Sequence, residues 1–222
     1  MMDLSMPVEE FKAYMGQQLD RFFPDRYAFA GADVDAAFDE ALQRLEYCLK
    51  FVSIRGFVVD GKVQLSHLHS GQYCHLLYFM GNSLWKRSQN QPLCDKLMLL
   101  NQALNGVFCS YKLALPEIFF LNHPVGSVLG HAQYSNFLVI LQNVTVNTDP
   151  ELKIGECVAL TAGAQIIGNK PIGARSSIGA NTLVFDREIP ADSVVYNGPT
   201  GLVIRPRGRE SLAERYFNVP SA

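Results

Sequence analysis

His123 lies in Leu121-Asn122-His123-Pro124-Val125-Gly126-Ser127-Val128-Leu129-Gly130, just ahead of a strictly periodic stretch of chain, and carries the side chain best suited to acid–base work. An unperturbed imidazole titrates near ~6.5 and can take a proton from a hydroxyl close to neutral pH. Pro124 restricts the backbone at the preceding residue toward extended conformations, which predicts a fixed direction for the ring. His131, in Gly130-His131-Ala132, reads either as a second active-site group or, the favoured reading, as an outward side chain. His67, His69 and His75 have no acids at metal-ligand spacing. A zinc site built on imidazoles needs three of them, so no metal is expected. The five cysteines, Cys48, Cys74, Cys94, Cys109 and Cys157, are scattered and odd in number, which predicts free thiols.

The element that must position His123 follows it. Ile154, Leu160, Ile166, Ile172, Ile178 and Val184 recur every six residues. Glycine follows the aliphatic at Gly155, Gly173 and Gly179, and small residues recur at Ala164, Ser176 and Thr182. A period of six fits neither an α-helix nor a half-buried strand. It fits a parallel β-helix in which each hexapeptide forms one flat side of a triangular coil. The aliphatic then points inward, and glycine takes the corner. A weaker beat precedes it at Val128, Tyr134, Ile140 and Val146, and a two-residue slip separates it from Ile154. The slip predicts a loop bulging out near 147–153, and such bulges often carry function.

The first half has helical texture. Phe11, Met15, Leu19 and Phe22 predict one helix over 7–23, and Val34, Phe38, Ala41, Leu42, Leu45, Leu49 and Val52 a second. Ser70 is the expected cap of a third, with Leu76, Leu77, Phe79, Met80 and Leu84. A fourth runs from Pro92 to Asn105, with Gly106 as its stop. Residues 57–63 read as a short hairpin or a loop. The predicted class is α+β: a helical domain over 1–106, a parallel β-helix over 107–204 and a tail over 205–222. The net charge of −2 gives no electrostatic case for nucleic acid. No stretch approaches the ~20 apolar residues of a membrane span, and 1–24 lacks the features of a signal peptide. The expected location is the cytoplasm.

Residues 121–130 resemble the segment around the catalytic Asp-His pair of the serine acetyltransferase branch of the hexapeptide-repeat acyltransferases. The likeness extends over residues 106–207. Ile140-Leu141-Gln142-Asn143-Val144-Thr145-Val146 is similar to that family's next coil. Leu160-Thr161-Ala162-Gly163-Ala164-Gln165-Ile166-Ile167-Gly168-Asn169 is similar to its Gly-Ala-Gly-Ala-Lys-Ile-Leu-Gly-Asn coil, and Ile178 to Val184 to the one after. The resemblance implies a left-handed β-helix and acetyl transfer from acetyl-CoA, as co-substrate, to a hydroxyl. It also implies a homotrimer or a dimer of trimers, with CoA between neighbouring prisms. His123 would be the general base. Asn147, Thr148, Ala162 and Ala180 would lie beside CoA. Arg205 and Arg207 would meet its phosphates, since guanidinium suits phosphate geometry.

Three departures bear on the acceptor. The family's upstream Asp-Ile-His-Pro, whose Asp orients the base, is matched here by Phe108-Cys109-Ser110-Tyr111, leaving Glu117 as the candidate orienting acid. The Asp before the base is Asn122, a candidate acceptor contact with Asp149. The family's second His, which holds the serine carboxylate, is matched by Asn147-Thr148-Asp149-Pro150-Glu151. An acidic loop repels a carboxylate, so the expected acceptor is a sugar hydroxyl of surface-polysaccharide synthesis. The alternatives are serine O-acetyltransferase and a non-catalytic β-helix serving as an assembly module.

Overall fold

The computed structural model describes residues 2–219. It divides into two compact units, one of Met1–Lys50 with Arg55–Lys112 and one of Phe51–Ile54 with Leu113–Ala222. The division thus falls six residues past Gly106, and the tail from Arg205 onward belongs to the second unit.

The helical unit carries α1 (Val8–Phe22), α2 (Ala32–Leu49), α3 (Ser70–Ser88) and α4 (Gln91–Asn105). Phe11, Met15 and Leu19 are buried on α1, but Phe22 is half exposed at 50%. Glu9 and Glu10 in its first turn complement the helix dipole. On α3 every residue from Gln72 to Leu84 is buried, so it is the interior helix of the unit. Its cap is His69, whose Nδ1 accepts from the Gln72 N–H, rather than Ser70, which is already helical. α4 is capped by Asn90, whose side chain accepts from the Leu93 N–H, and is closed by Gly106 with φ 65°. That left-handed stop is the one glycine supplies most easily. Residues 57–63 form a hairpin: Val58–Val59 pairs antiparallel with Lys62–Leu65 across Asp60-Gly61, both at positive φ.

The second unit is a left-handed parallel β-helix. Its first face stacks Phe119–Leu121, Leu138–Ile140, Ala159–Leu160, Ser177–Ile178 and Ser193–Gly198. The second face stacks Val128–Leu129, Thr145–Val146, Gln165–Ile167 and Leu183–Phe185. On the third, Gln133–Tyr134 pairs with Lys153–Ile154, and bridges continue it through Ile172 and Ile189. Strand register gives the coil length directly. Ala159 pairs with Ser177 and Gln165 with Leu183, each 18 residues on, or three hexapeptides. Every pairing that spans 147–152 is offset by 20 instead: Gln133 with Lys153, Val139 with Ala159, Thr145 with Gln165. The two-residue slip is therefore a physical insertion at the second edge, between the second and third faces.

The interior is one aliphatic column. Ile140, Val146, Ile154, Leu160, Ile166, Ile172, Ile178 and Val184 are each no more than 2% exposed. Burial of such side chains contributes about 1.5–3 kcal/mol each. The early beat needs one correction. Val128 is 43% exposed and Leu129, at 2%, is the inward residue, because Val128 pairs with the outward Thr145. Glycine at the corners is required by close stacking: a Cβ on Gly173 would lie 2.3 Å from the Ala191 nitrogen and one on Gly155 2.6 Å from the Ala174 nitrogen.

The outer surface of the first face is covered by the tail. Phe120, Val139 and Ala159 point outward yet are buried. Phe217 stacks edge-on to Phe120 and Phe137 at 6.5 and 5.5 Å and bridges to Val52. Ser211, Ala213 and Phe217 are buried. The Leu212 N–H donates to Ser177 Oγ at 3.2 Å.

Candidate active site

His123 sits at the first edge, where the chain leaves the first face. Asn122 is the last residue of that face, its N–H donating to the Ile140 carbonyl at 2.8 Å. The backbone at His123 has φ 50°, in the left-handed region, rather than the extended conformation favoured before proline. Histidine enters that region more readily than most residues, at a cost of order 1–3 kcal/mol. The Val125 N–H returns to the His123 carbonyl at 2.8 Å, closing a tight turn about Pro124. The imidazole is exposed, and no hydrogen bond ties up either ring nitrogen among the described residues. An imidazole free in this way can bond to an incoming hydroxyl.

The same edge carries Ala162 and Ala180. Gly126, Asn143, Gly163 and Asn181 stack along it, all with φ between 53° and 76°. Backbone bonds link successive coils there: Asn143 N–H to Val125 carbonyl, Gly163 N–H to Gln142 carbonyl and Asn181 N–H to Ala162 carbonyl, at 2.8–2.9 Å. Each asparagine folds under a glycine, its Oδ1 filling the space a glycine Cβ would take. The sequence reading missed this ladder. Its signal was Gly or Asn recurring one coil apart. Ala162 and Ala180, half-buried and exposed, place a strip of small side chains beside it.

Asn147, Thr148 and Asp149 lie on the second edge, across one face from His123. Asn147 Oδ1 accepts from the Gly168 N–H at 3.1 Å, and Thr148 Oγ1 from the His131 N–H at 3.4 Å. Asp149 Oδ1 accepts from the Glu151 N–H at 2.9 Å, so half of its carboxylate is spent on its own turn.

The geometry bears on two further residues singled out in the sequence. Glu117 precedes the strand Phe119–Leu121 and His123 follows it, so the two stand at opposite ends of about 10 Å of extended chain. Within one protomer that separation argues against Glu117 as the group that orients His123. Arg207 is committed to structure: its Nε donates to Asp192 at 2.7 Å and its Nη1 to Glu214 at 3.0 Å. Arg205 remains exposed, 5.8 Å from the Tyr196 ring centroid.

Asp192 also bonds Arg175 Nε at 2.8 Å. Arg175 first, and then Arg207, hold its carboxyl at about 2 against the upward push of partial burial. The folded value lies below the ordinary ~3.9, so its contribution is present above pH ~4 and is lost as pH falls toward 2. Asp192→Asn should lower the melting temperature at pH 7 and leave it unchanged near pH 2. An equal deficit at both pH values would contradict this.

All five cysteines are free and buried, and burial pushes the Cys157 thiol up to about 11, the opposite of an activated nucleophile. Among the described residues no cluster of metal-ligating side chains occurs, and no helix is long and apolar enough to cross a membrane.

No family model matches the chain. It is 29% identical over 129 residues to a serine acetyltransferase of Synechococcus elongatus, a match spanning 54% of this chain and 52% of that protein. It is 32% identical over 148 residues to a serine acetyltransferase of Staphylococcus xylosus, spanning 64% and 67%. Measured against the Synechococcus protein, the chain spans about half of its relative's length. Among solved structures, serine acetyltransferase from Brucella abortus superposes with a TM-score of 0.66 at 19% identity, over 88% of this chain and 83% of that one. A serine acetyltransferase in complex with CoA gives 0.63 at 21%, over 78% and 74%. These likenesses carry the fold, and the Staphylococcus match, covering two thirds of that relative, carries the lineage: the chain belongs to the serine acetyltransferase family.

Proposed function

We propose that the chain is an acetyl-CoA-dependent O-acetyltransferase whose acceptor is the hydroxyl of serine. The observation that carries this reading is an exposed His123 with unoccupied ring nitrogens, in a β-helix whose curated relatives are named serine acetyltransferases. Those names favour serine over the sugar hydroxyl expected from the acidic loop.

In this reading His123 takes the proton from serine Oγ as that oxygen attacks the thioester carbonyl carbon. A tetrahedral oxyanion forms, and backbone N–H groups along the edge are its available donors. Its collapse breaks the C–S bond, and the imidazolium returns the proton to the departing sulfur. The products are O-acetylserine and CoA. The strip at Ala162 and Ala180 receives the pantetheine arm, and Arg205, paired with no carboxylate among the described residues, is the remaining candidate for a CoA phosphate.

His123 and the loop at 147–152 occupy different edges, roughly 15 Å apart by the extended rise of the second face. A site using both draws on two copies of the chain. Exposed Val128, Leu183 and Phe185 on the second face, at 43%, 45% and 69%, supply apolar surface for such packing. A homotrimer of prisms meets both requirements, and the buried free thiols suit a reducing cytoplasm.

Thiol release from acetyl-CoA, followed with serine and with a panel of sugars, tests the reading. Serine-dependent release is expected. Release with a sugar but not with serine would restore the polysaccharide acceptor, and release with neither would remove the enzyme reading.

A further inference from the structure

A second pairing of a histidine with a hydroxyl lies in the helical unit, apart from the candidate active site. The short strand Asp3–Leu4 pairs parallel with Lys62–Leu65, and the Ser5 N–H extends that ladder to the Leu65 carbonyl at 2.9 Å. This register sets Ser5 beside His67. Two contacts join them: the His67 N–H donates to Ser5 Oγ at 3.1 Å, and Ser5 Oγ lies 2.9 Å from His67 Nδ1. The first uses Oγ as an acceptor. It leaves the hydroxyl proton to lie toward Nδ1, with the neutral ring's own proton on Nε2. A serine hydroxyl donating to an imidazole nitrogen at this distance is the nucleophile and base of acyl transfer.

The ring is held in place. Phe11 and Tyr14 on α1 stand edge-on to it, with centroids at 6.3 and 5.2 Å. These aromatics orient the imidazole where other sites use a carboxylate. Asp3, the acid closest to Ser5 in sequence, is met by Lys62 at 3.7 Å and by Gln64 Nε2 at 3.3 Å. Ser5 is exposed and His67 half-buried, so an acyl donor reaches the hydroxyl from solvent. The N–H of Met6, the residue after the hydroxyl, has no partner among the described residues and is available to an oxyanion.

We propose that Ser5 and His67 form a second acyl-transfer site, at which Ser5 Oγ takes the acetyl group of acetyl-CoA onto the chain itself. His67 Nδ1 accepts the Ser5 proton as Oγ attacks the thioester carbonyl carbon. The Oγ–C bond forms, the C–S bond breaks, and the imidazolium gives its proton to the departing sulfur. The products are O-acetylated Ser5 and free CoA. The step uses neither His123 nor the acceptor of the β-helix, so it stands or falls apart from the serine reading.

The test is mass spectrometry of the full chain incubated with acetyl-CoA, with acetyl groups localised by fragmentation of the peptide spanning residues 1–12. The comparison hydroxyl is Ser53, exposed as well but donating to the Arg215 carbonyl. Ser5 should be acetylated at least about a hundredfold faster than Ser53, in the wild type and in His123→Ala alike. His67→Gln keeps the backbone N–H bond to Oγ but has no base, and should slow labelling of Ser5 by about 10²–10⁴-fold. Ser5→Cys, which keeps a nucleophile at the position, should still be labelled. Labelling of Ser5 no faster than of Ser53, or equal labelling of Ser5 in wild type and His67→Gln, overturns the proposal. The first of these comparisons is made on the wild type and holds even if a variant fails to fold.

Discussion

Replacing His123 by alanine should lower kcat for acetyl transfer by about 10²–10⁴-fold, the range supplied by a positioned general base. The side chain is exposed and makes no hydrogen bond among the described residues, so its loss removes no packing and no internal partner. The fold should therefore survive, with unchanged circular dichroism and melting temperature. His123→Asn should be similarly inactive: asparagine also tolerates the left-handed backbone at φ 50° but cannot carry the proton. That pair of variants separates chemistry from conformation. Turnover within tenfold of wild type in either would take His123 out of the mechanism.

The second large effect concerns the tail. Phe217→Ala should destabilise the β-helix unit by about 3–5 kcal/mol, as large-to-small changes of buried aromatics do. Phe217 is 3% exposed, packs on Phe120 and Phe137, and bridges to Val52. Its removal uncovers the first face, where Phe120, Val139 and Ala159 are outward-facing and apolar. Denaturant unfolding followed by tyrosine fluorescence should show a lower midpoint. A change below about 0.5 kcal/mol would mean that the tail is an accessory rather than part of the unit.

The β-helix was legible because its inward position is filled at every hexapeptide from Ile154 to Val184, and a period of six fits neither an α-helix nor a half-buried strand. The insertion was legible for the same reason: a rigid period makes a two-residue slip visible. Val128 was misplaced because two adjacent aliphatics, Val128 and Leu129, both fit a loose beat, and only the pairing with Thr145 and Val146 decides between them. The αL ladder of Gly126, Asn143, Gly163 and Asn181 escaped notice because its coils are of unequal length. The tail could not be read at all. Its cover of the first face depends on residues such as Val52 and Phe217, far apart in sequence and joined by no pattern. At the site, the neighbours of His123 singled it out, whereas the surroundings of Glu117 and Arg207 were not legible. Which end of a strand an acid occupies, and which carboxylates an arginine has already met, are facts of three dimensions.

The acidic loop illustrates how charge can be misread in one dimension. Asp149 and Glu151 alone argue against a carboxylate-bearing acceptor. With Asp149 Oδ1 accepting from the Glu151 N–H of its own turn, part of that charge is already met within the loop.

The identity of the product is the most direct evidence of the reaction. Wild-type protein incubated with acetyl-CoA and serine should form O-acetylserine, identified by mass spectrometry, in a one-to-one ratio with released CoA, and His123→Ala should form none above background. CoA release without O-acetylserine, or equal product from wild type and His123→Ala, would contradict it.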